Sequence, residues 1–286
     1  VEPLLYIGKV LILGLIGVIV GGAGTLVGLG GGFALIPLFL YVIPLRDADR
    51  STASATSLAA VVLNAASGTY AYARQKRVDY LAGIVMAIPA IPASLLGAVV
   101  VQELGGRHSA FDITFAVLAV FMAVILVAGR AIFKRAQQKK EEAKAGGKRL
   151  LVFDRHKMLP DGSATYRFDV RSGLVIGLIG GFLAGFLGIG GGIIHMPMLI
   201  LVMGFPTHIA AATSHFILLL TTSSTTAFNL HAGKVDMNYA VPIGVGMVVG
   251  AAIGARVAKS ASGWVIRLVL SLILLFVAVQ MIRSAF

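Results

Sequence analysis

Residues 10–43 carry no charged side chain, and across residues 172–233 the only titratable groups are His195, His208, His215 and His231. Runs of that length do not suit a chain whose solvent is water. A helical membrane span needs roughly 20 apolar residues, and each of these stretches is longer than one span requires. The whole chain has the same character: 58% of its 286 residues are hydrophobic and 13% charged, where a soluble domain carries about a quarter charged. Hydrophobic segments fall at about 4–43, 51–73, 80–102, 113–133, 172–203, 207–230, 237–257 and 263–282. The fold class is therefore an all-α polytopic membrane protein.

The first and fifth segments each hold a run of glycines, and those runs expose an internal repeat. Gly28-Leu29-Gly30-Gly31-Gly32 followed by Pro37 matches Gly188-Ile189-Gly190-Gly191-Gly192 followed by Pro197, at a constant offset of 160 residues. Downstream, Ala55-Thr56-Ser57 matches Ala212-Thr213-Ser214, Val78-Asp79 matches Val235-Asp236, and Gly97-Ala98 matches Gly254-Ala255, all offset by 157. Ordered landmarks of this kind imply two homologous repeats of about four hydrophobic segments, the first of each broken by a G-x-G-G-G run. The expected organisation is a first membrane repeat at 1–133, a basic linker at 134–171 and a second membrane repeat at 172–286.

The net charge of +12 would suggest nucleic acid as a partner of a soluble protein, but 12 of the 24 basic residues lie between Arg130 and Arg171. The positive-inside rule reads that stretch as a cytoplasmic loop, and no interleaved aromatics mark a nucleic-acid face. Within it, the turn signal Pro160-Asp161-Gly162 separates two short apolar runs, as in a small hairpin. Charge counting places 18 basic residues on one side and 6 on the other whether the broken segments cross once, giving parallel repeats, or double back, giving inverted ones. Zero cysteines exclude disulfides, thiolate metal sites and thiol nucleophiles. The chain starts at Val1, which implies an upstream start, and its first residues do not read as a cleavable signal peptide.

Successive glycines inside a membrane helix would cost about 1 kcal/mol each as helix interior, so the helix is expected to break there. A break frees backbone groups, which hydrocarbon tolerates only where they are buried in protein or line a polar cavity. Two half-helix N-termini would then aim N–H groups and positive dipole ends at one central region, which is an anion site. Simple close packing is the competing explanation, and it suits Gly24 with Gly28 or Gly250 with Gly254 better than three adjacent glycines. Hydroxyls crowd the segments that follow, and the paired Thr56-Ser57 and Thr213-Ser214 are the candidates among them. Asn64 and Asn229 lie on the same segments. Most membrane hydroxyls bind helices together instead. His195, three residues past the second glycine run, has Leu35 as its counterpart, and His215 has Leu58. An ionisable residue inside the membrane is a functional candidate by default, against the rival of a neutral histidine bonded to a carbonyl. Arg74, Arg256 and Arg267 sit at segment ends, where snorkelling is the default explanation and the mouth of an anion path the alternative. The carboxylates all fall outside the hydrophobic segments' cores, which argues against an Asp or Glu proton relay.

The expected substrate-binding set is Gly30, Gly31, Gly32, Thr56, Ser57, Gly190, Gly191, Gly192, His195, Thr213 and Ser214, with no catalytic residue, metal or cofactor. No Lys-Ser or Lys-Thr follows the glycines as in a nucleotide loop, and there is no H-E-x-x-H or intramembrane Asp pair. A transporter of a small anion is expected, with a passive anion channel as the alternative and no enzymatic activity.

Two hydrophobic halves, each opening with G-x-G-G-G and a proline five residues later, resemble the TauE/SafE family of sulfite exporters and organosulfonate permeases. The likeness spans essentially all the membrane segments, although the 134–169 loop is longer than that family leads one to expect. The resemblance implies a transporter of sulfite, thiosulfate or small sulfonates with the glycine runs near its substrate. An exporter is favoured, because an interior-negative potential drives anions outward. The expected location is the inner (plasma) membrane, multi-pass, with the 134–171 loop cytoplasmic; the lipid bilayer and a small anion are the partners, nucleic acid is not, and a homo-oligomer is compatible.

Overall fold

The computed structural model describes residues 2–43, 49–104, 111–121, 123–124, 152–159, 162–258, 271, 275, 278–279 and 282–283. The basic run 134–151, Arg267 and most of the last hydrophobic segment lie outside them. The elements are α1 (Glu2–Val27), α2 (Gly32–Pro37, continued by a π turn at Leu38–Val42), α3 (Arg50–Arg74), α4 (Tyr80–Glu103) and α5 (Phe111–Phe121). They are followed by β1 (Val152–Leu159), β2 (Gly162–Asp169), α6 (Val170–Leu187), α7 (Gly192–Leu201), α8 (Thr207–His231) and α9 (Met237–Val257).

Four helices are long and apolar enough to cross a membrane, namely Tyr6–Val27 within α1, then α4, α6 and α9. They turn apolar side chains outward: Ile12, Leu15 and Ile19 on α1, Ile84 and Ile88 on α4, Leu178 and Ile179 on α6, Val245 and Val249 on α9. Exposed apolar surface on four helices is a lipid-facing belt. The two 25-residue helices α3 and α8 are more polar because their neighbours surround them. Ser54, Thr56, Ser57 and Asn64 on α3, and Thr213, Ser214, Thr221 and Thr225 on α8, are all buried in protein.

The outer helices pair across the two halves, α1 with α9 and α4 with α6. Small residues make both contacts. A Cβ on Gly246, Gly250 or Gly254 would run into the backbone of Gly14, Val18 or Gly22, and one on Gly177, Gly181 or Gly185 into that of Met86, Ala90 or Ser94. Backbones this close gain dispersion and Cα–H···O contacts that lipid cannot replace. In both pairs the numbering rises together, so each pair runs parallel. Four aspartates start the helices: Asp49, Asp79, Asp169 and Asp236 accept from the N–H of Ser51, Ala82, Arg171 and Asn238.

β1 and β2 form an antiparallel hairpin with Leu159 opposite Gly162. It is docked on the helices. Tyr166 donates to Asp79 at 2.7 Å and its ring lies 4.3 Å from that of Phe205, while Phe168 is fully buried against the same loop. The end of the bundle that holds the α3–α4 turn thus also holds the hairpin and the residues after α7.

Candidate functional site

α1 and α6 both end at glycines that no L-residue replaces without strain. Gly28, Gly30 and Gly31 have φ of 82°, 81° and 85°, and Gly188, Gly190 and Gly191 have 70°, 80° and 79°. At the first break the N–H groups of Gly28, Leu29 and Gly30 fold back onto Thr25 and Gly24 carbonyls. The chain then reverses: a Cβ on Gly31 would lie 3.0 Å from Val20 O, and one on Gly191 3.1 Å from Gly180 O. α2 therefore runs back along α1 and α7 back along α6. The broken segments double back, which is the inverted one of the two arrangements that charge counting left open.

The two reversals meet at mid-depth. A Cβ on Gly32 would lie 2.8 Å from Ile189 O, and one on Gly192 2.8 Å from Leu29 O. Both Gly30 and Gly190 rest on Val61 and Leu218, which stand near the midpoints of α3 and α8. Gly31 and Gly191 are the N-caps of the two half-helices and offer no side chain to the N–H groups behind them. Among the described residues, the buried N–H groups of Gly31, Gly32 and Phe33, and of Gly191, Gly192 and Ile193, have no hydrogen-bond acceptor. Buried donors in native proteins are nearly always satisfied. These six donors lie at the N-terminal ends of the two half-helices, on either side of the contact between the breaks.

The hydroxyls flank this point in matched pairs and bind across the halves. Ser57 donates to Gly188 O at 2.8 Å and Ser214 to Gly28 O at 3.1 Å, so each clasps the first glycine of the opposite break. Thr56 accepts from the Asp236 N–H and Thr213 from the Asp79 N–H, both at 3.0 Å, from a different face of the same two helices. Ser57 and Ser214 therefore touch the glycine runs directly, while Thr56 and Thr213 hold the starts of α9 and α4. Asn229 accepts from Gln102 at 3.0 Å and stands apart from the breaks.

His195 is fully buried, and neither ring nitrogen has a hydrogen-bond partner. Its ring lies over the second break: a Cβ on Gly191 would be 3.0 Å from Cε1, and one on Gly180 2.5 Å from Nε2. In the first half Val20 and Leu35 take the places of Gly180 and His195. Arg74 and Arg256 are exposed at helix ends, and Arg74 lies 5.9 Å from the Tyr70 ring.

Several polar groups had no signal in the sequence. Thr25, a single hydroxyl in an apolar run, donates to Asn64 Oδ1 at 3.1 Å, and Tyr72 donates to Thr25 O at 2.8 Å. Ser94 and Thr225 join α4 to α8 at 2.7 Å. Two carboxylates at segment ends prove to be buried: Asp112, paired with Arg50 at 2.9 Å, and Asp79, bonded to Tyr166. No cluster of three or more metal-ligating side chains occurs among the described residues.

Comparison with known proteins adds the following. A family model described as sulfite exporter TauE/SafE matches residues 13–281. The chain is similar to the probable membrane transporter protein YunE of Bacillus subtilis, 29% identical over 95% of this chain and 96% of the relative. A probable membrane transporter protein of Methanocaldococcus jannaschii is 25% identical over 91% and 90% of the two chains. One of Xylella fastidiosa is 27% identical over 93% and 92%.

Proposed function

Because the chain belongs to the TauE/SafE sulfite exporter family, we propose that this multi-pass membrane transporter carries a small sulfur-containing anion, either sulfite, thiosulfate or an organosulfonate, out of the cell by alternating access. The observation that carries the reading is the pair of facing half-helix N-termini with six unpartnered N–H groups at mid-depth. In this reading Gly30, Gly31, Gly32, Gly190, Gly191 and Gly192 supply backbone to the anion, and His195 turns an otherwise idle ring nitrogen to it. Ser57 and Ser214 close the site from either side, while Thr56 and Thr213 form its outer wall.

The energetics are adequate without a lysine or arginine at the centre. Removing a small anion from water costs several kcal/mol after relaxation. Two helix ends at up to about 2 kcal/mol each and three or four charge-assisted hydrogen bonds at roughly 1.5–3 kcal/mol each offset that cost. Cross-half hydrogen bonds suit alternation, since rocking one half against the other changes which of Ser57 and Ser214 remains engaged. We take 1–133 and 172–286 as the two inverted units and 134–171 as their link. The end that carries Arg74, Lys76, Arg77 and the hairpin is assigned to the cytoplasm of a plasma-membrane protein. The reading assigns the chain no catalysis.

The test is uptake and counterflow of labelled sulfite, thiosulfate and a simple sulfonate in proteoliposomes, with membrane potential and pH gradient clamped separately. Saturable flux with counterflow for one of them supports the carrier. Flux that never saturates indicates a passive channel, and no flux from folded protein discards the sulfur assignment.

A further inference from the structure

The two breaks match in backbone and differ in what covers them. At the second, the ring of His195 lies over the N-cap, since a Cβ on Gly191 would be 3.0 Å from Cε1. Cε1 stands between the two ring nitrogens, so the edge turned to Gly191 is the edge that carries both. Neither nitrogen has a partner, and the residue is fully buried. The ring fits because Gly180 on α6 faces it, where a Cβ would lie 2.5 Å from Nε2. At the first break the same two places hold Val20 and Leu35. There a Cβ on Gly31 would meet Val20 Cγ1 at 3.1 Å and Met247 Cε at 2.8 Å, so hydrocarbon lies over that N-cap.

Donors at the second break come from one side. The N–H groups of Gly191, Gly192 and Ile193 open α7, which is ten residues long, and His195, one turn on, adds the single N–H of a neutral imidazole. The hydroxyl residues that touch the break have already spent their hydrogens. Ser57 donates to Gly188 O at 2.8 Å, and Thr222 donates to Leu218 O at 2.7 Å while its methyl faces Gly190. The other side chains against Gly190 and Gly191 are apolar. A Cβ on Gly190 would lie 3.0 Å from Val61 Cγ1 and 3.1 Å from Leu218 Cδ1, and one on Gly191 3.0 Å from the Ala184 methyl.

We propose that the second break selects the substrate, and that it reads an oxyanion from one side. Oxygens of the anion meet Gly191, Gly192, Ile193 and His195, and the remaining substituent, which meets Val61 and Leu218, must be something other than oxygen. Sulfite with its lone pair, thiosulfate with its terminal sulfur and an organosulfonate with its carbon all present such a bare position. Sulfate and phosphate do not: their fourth oxygen would be stripped of water against aliphatic side chains with no donor in exchange. The inference rests on the anion-carrier reading of the breaks and adds to it a rule for which anions are refused. It also makes the halves unequal, with His195 and Gly180 as a matched pair that the first half lacks.

Thiosulfate and sulfate are the deciding pair, since both are dianions with four substituents and differ by one sulfur in place of oxygen. On the full chain in nanodiscs, displacing labelled thiosulfate should take about tenfold to a hundredfold more unlabelled sulfate than unlabelled thiosulfate. Sulfate is also the more strongly hydrated of the two, so the ratio is measured again in Leu218→Asn, which keeps the shape of the side chain and puts an amide donor at the bare position. The ratio should narrow by about tenfold. Equal binding in the wild type, or an unchanged ratio in a Leu218→Asn protein that still binds thiosulfate, overturns the one-sided site; Val61→Thr serves where Leu218→Asn does not fold. His195 is tested by nitrogen NMR of labelled histidines, its signals assigned by their loss in His195→Leu. They should shift when thiosulfate is added. The double variant Gly180→Val/His195→Leu copies the pair found in the first half, and it should fold and bind thiosulfate weaker by about tenfold or more. Ring signals unmoved by bound thiosulfate, or full affinity in the double variant, remove the second break as the selecting site. If thiosulfate, sulfite and methanesulfonate all fail to bind or cross, the carrier reading is discarded; sulfate carried as well as thiosulfate leaves that reading standing and discards the selection.

Discussion

On the proposed reading, stability and function pull in opposite directions at His195. Both ring nitrogens are buried without partners, and a buried unsatisfied polar group costs about 1–3 kcal/mol. His195→Leu, which installs what the first half carries at Leu35, should therefore raise the thermal midpoint while weakening anion binding. A thermal shift assay with a saturation curve for flux checks this, and a drop in both quantities would contradict it. The glycines give a complementary case. Gly192 has an ordinary helical backbone, so Gly192→Ala is opposed by contact alone, its Cβ meeting Leu29 O at 2.8 Å. We expect flux to fall by about tenfold or more with membrane insertion and gel-filtration profile retained, and normal flux would remove Gly192 from the site. These positions could be read in the sequence because adjacent glycines have few uses other than positive φ and close backbone approach. Thr25 and Tyr72 could not, since a lone hydroxyl in an apolar run looks the same whether it bonds its own helix or bridges to a histidine 190 residues away.

Elements were readable where composition and role coincide. The long apolar helices announced themselves, and so did the hairpin, through the Pro160-Asp161-Gly162 signal in the sequence. α3 and α8, read in the sequence as the segments 51–73 and 207–230, are more polar than the outer four because they are interior. Their placement depends on α1, α4, α6 and α9 forming the lipid-facing shell, which no local window reveals. The shell rests on glycine contacts, so Gly250→Val should push α1 from α9, cost about 1–3 kcal/mol or more as overpacking does, and lower the thermal midpoint. A neutral result would mean that α9 tilts freely. The hairpin is held by a buried hydrogen bond and two aromatic contacts. Tyr166→Phe removes the hydroxyl that donates to Asp79, a buried hydrogen bond to a charged group, at about 1.5–3 kcal/mol. Faster hydrogen exchange across β1 and β2 is the expected readout.

At the scale of the whole molecule, the halves lie in opposite senses, and charge counting could not decide this because both arrangements divide the basic residues alike. What decides it is contact: Gly31 against Val20, and Gly191 against Gly180. The absence of cysteine makes sidedness easy to measure. Arg74→Cys, at the end shared with the hairpin, should resist an impermeant maleimide in intact cells, and Lys234→Cys, in the α8–α9 turn at the other end, should react. The reverse pattern would invert the molecule in its membrane.

The cross-pairing of outer helices also bears on how the chain is made. α1 leaves the ribosome more than 200 residues before α9, so it waits through the synthesis of everything between them with its glycine stripe facing lipid. α4 waits less long for α6. The first half on its own has its hydroxyl helix flanked by strangers, with nothing to clasp Gly28 and nothing to start α4 against. Assembly is thus a checkpoint on completeness: a ribosome that stalls before residue 237 leaves a product with an open seam, which membrane quality control can recognise, and two separately expressed halves should be rescued from degradation only when both are present.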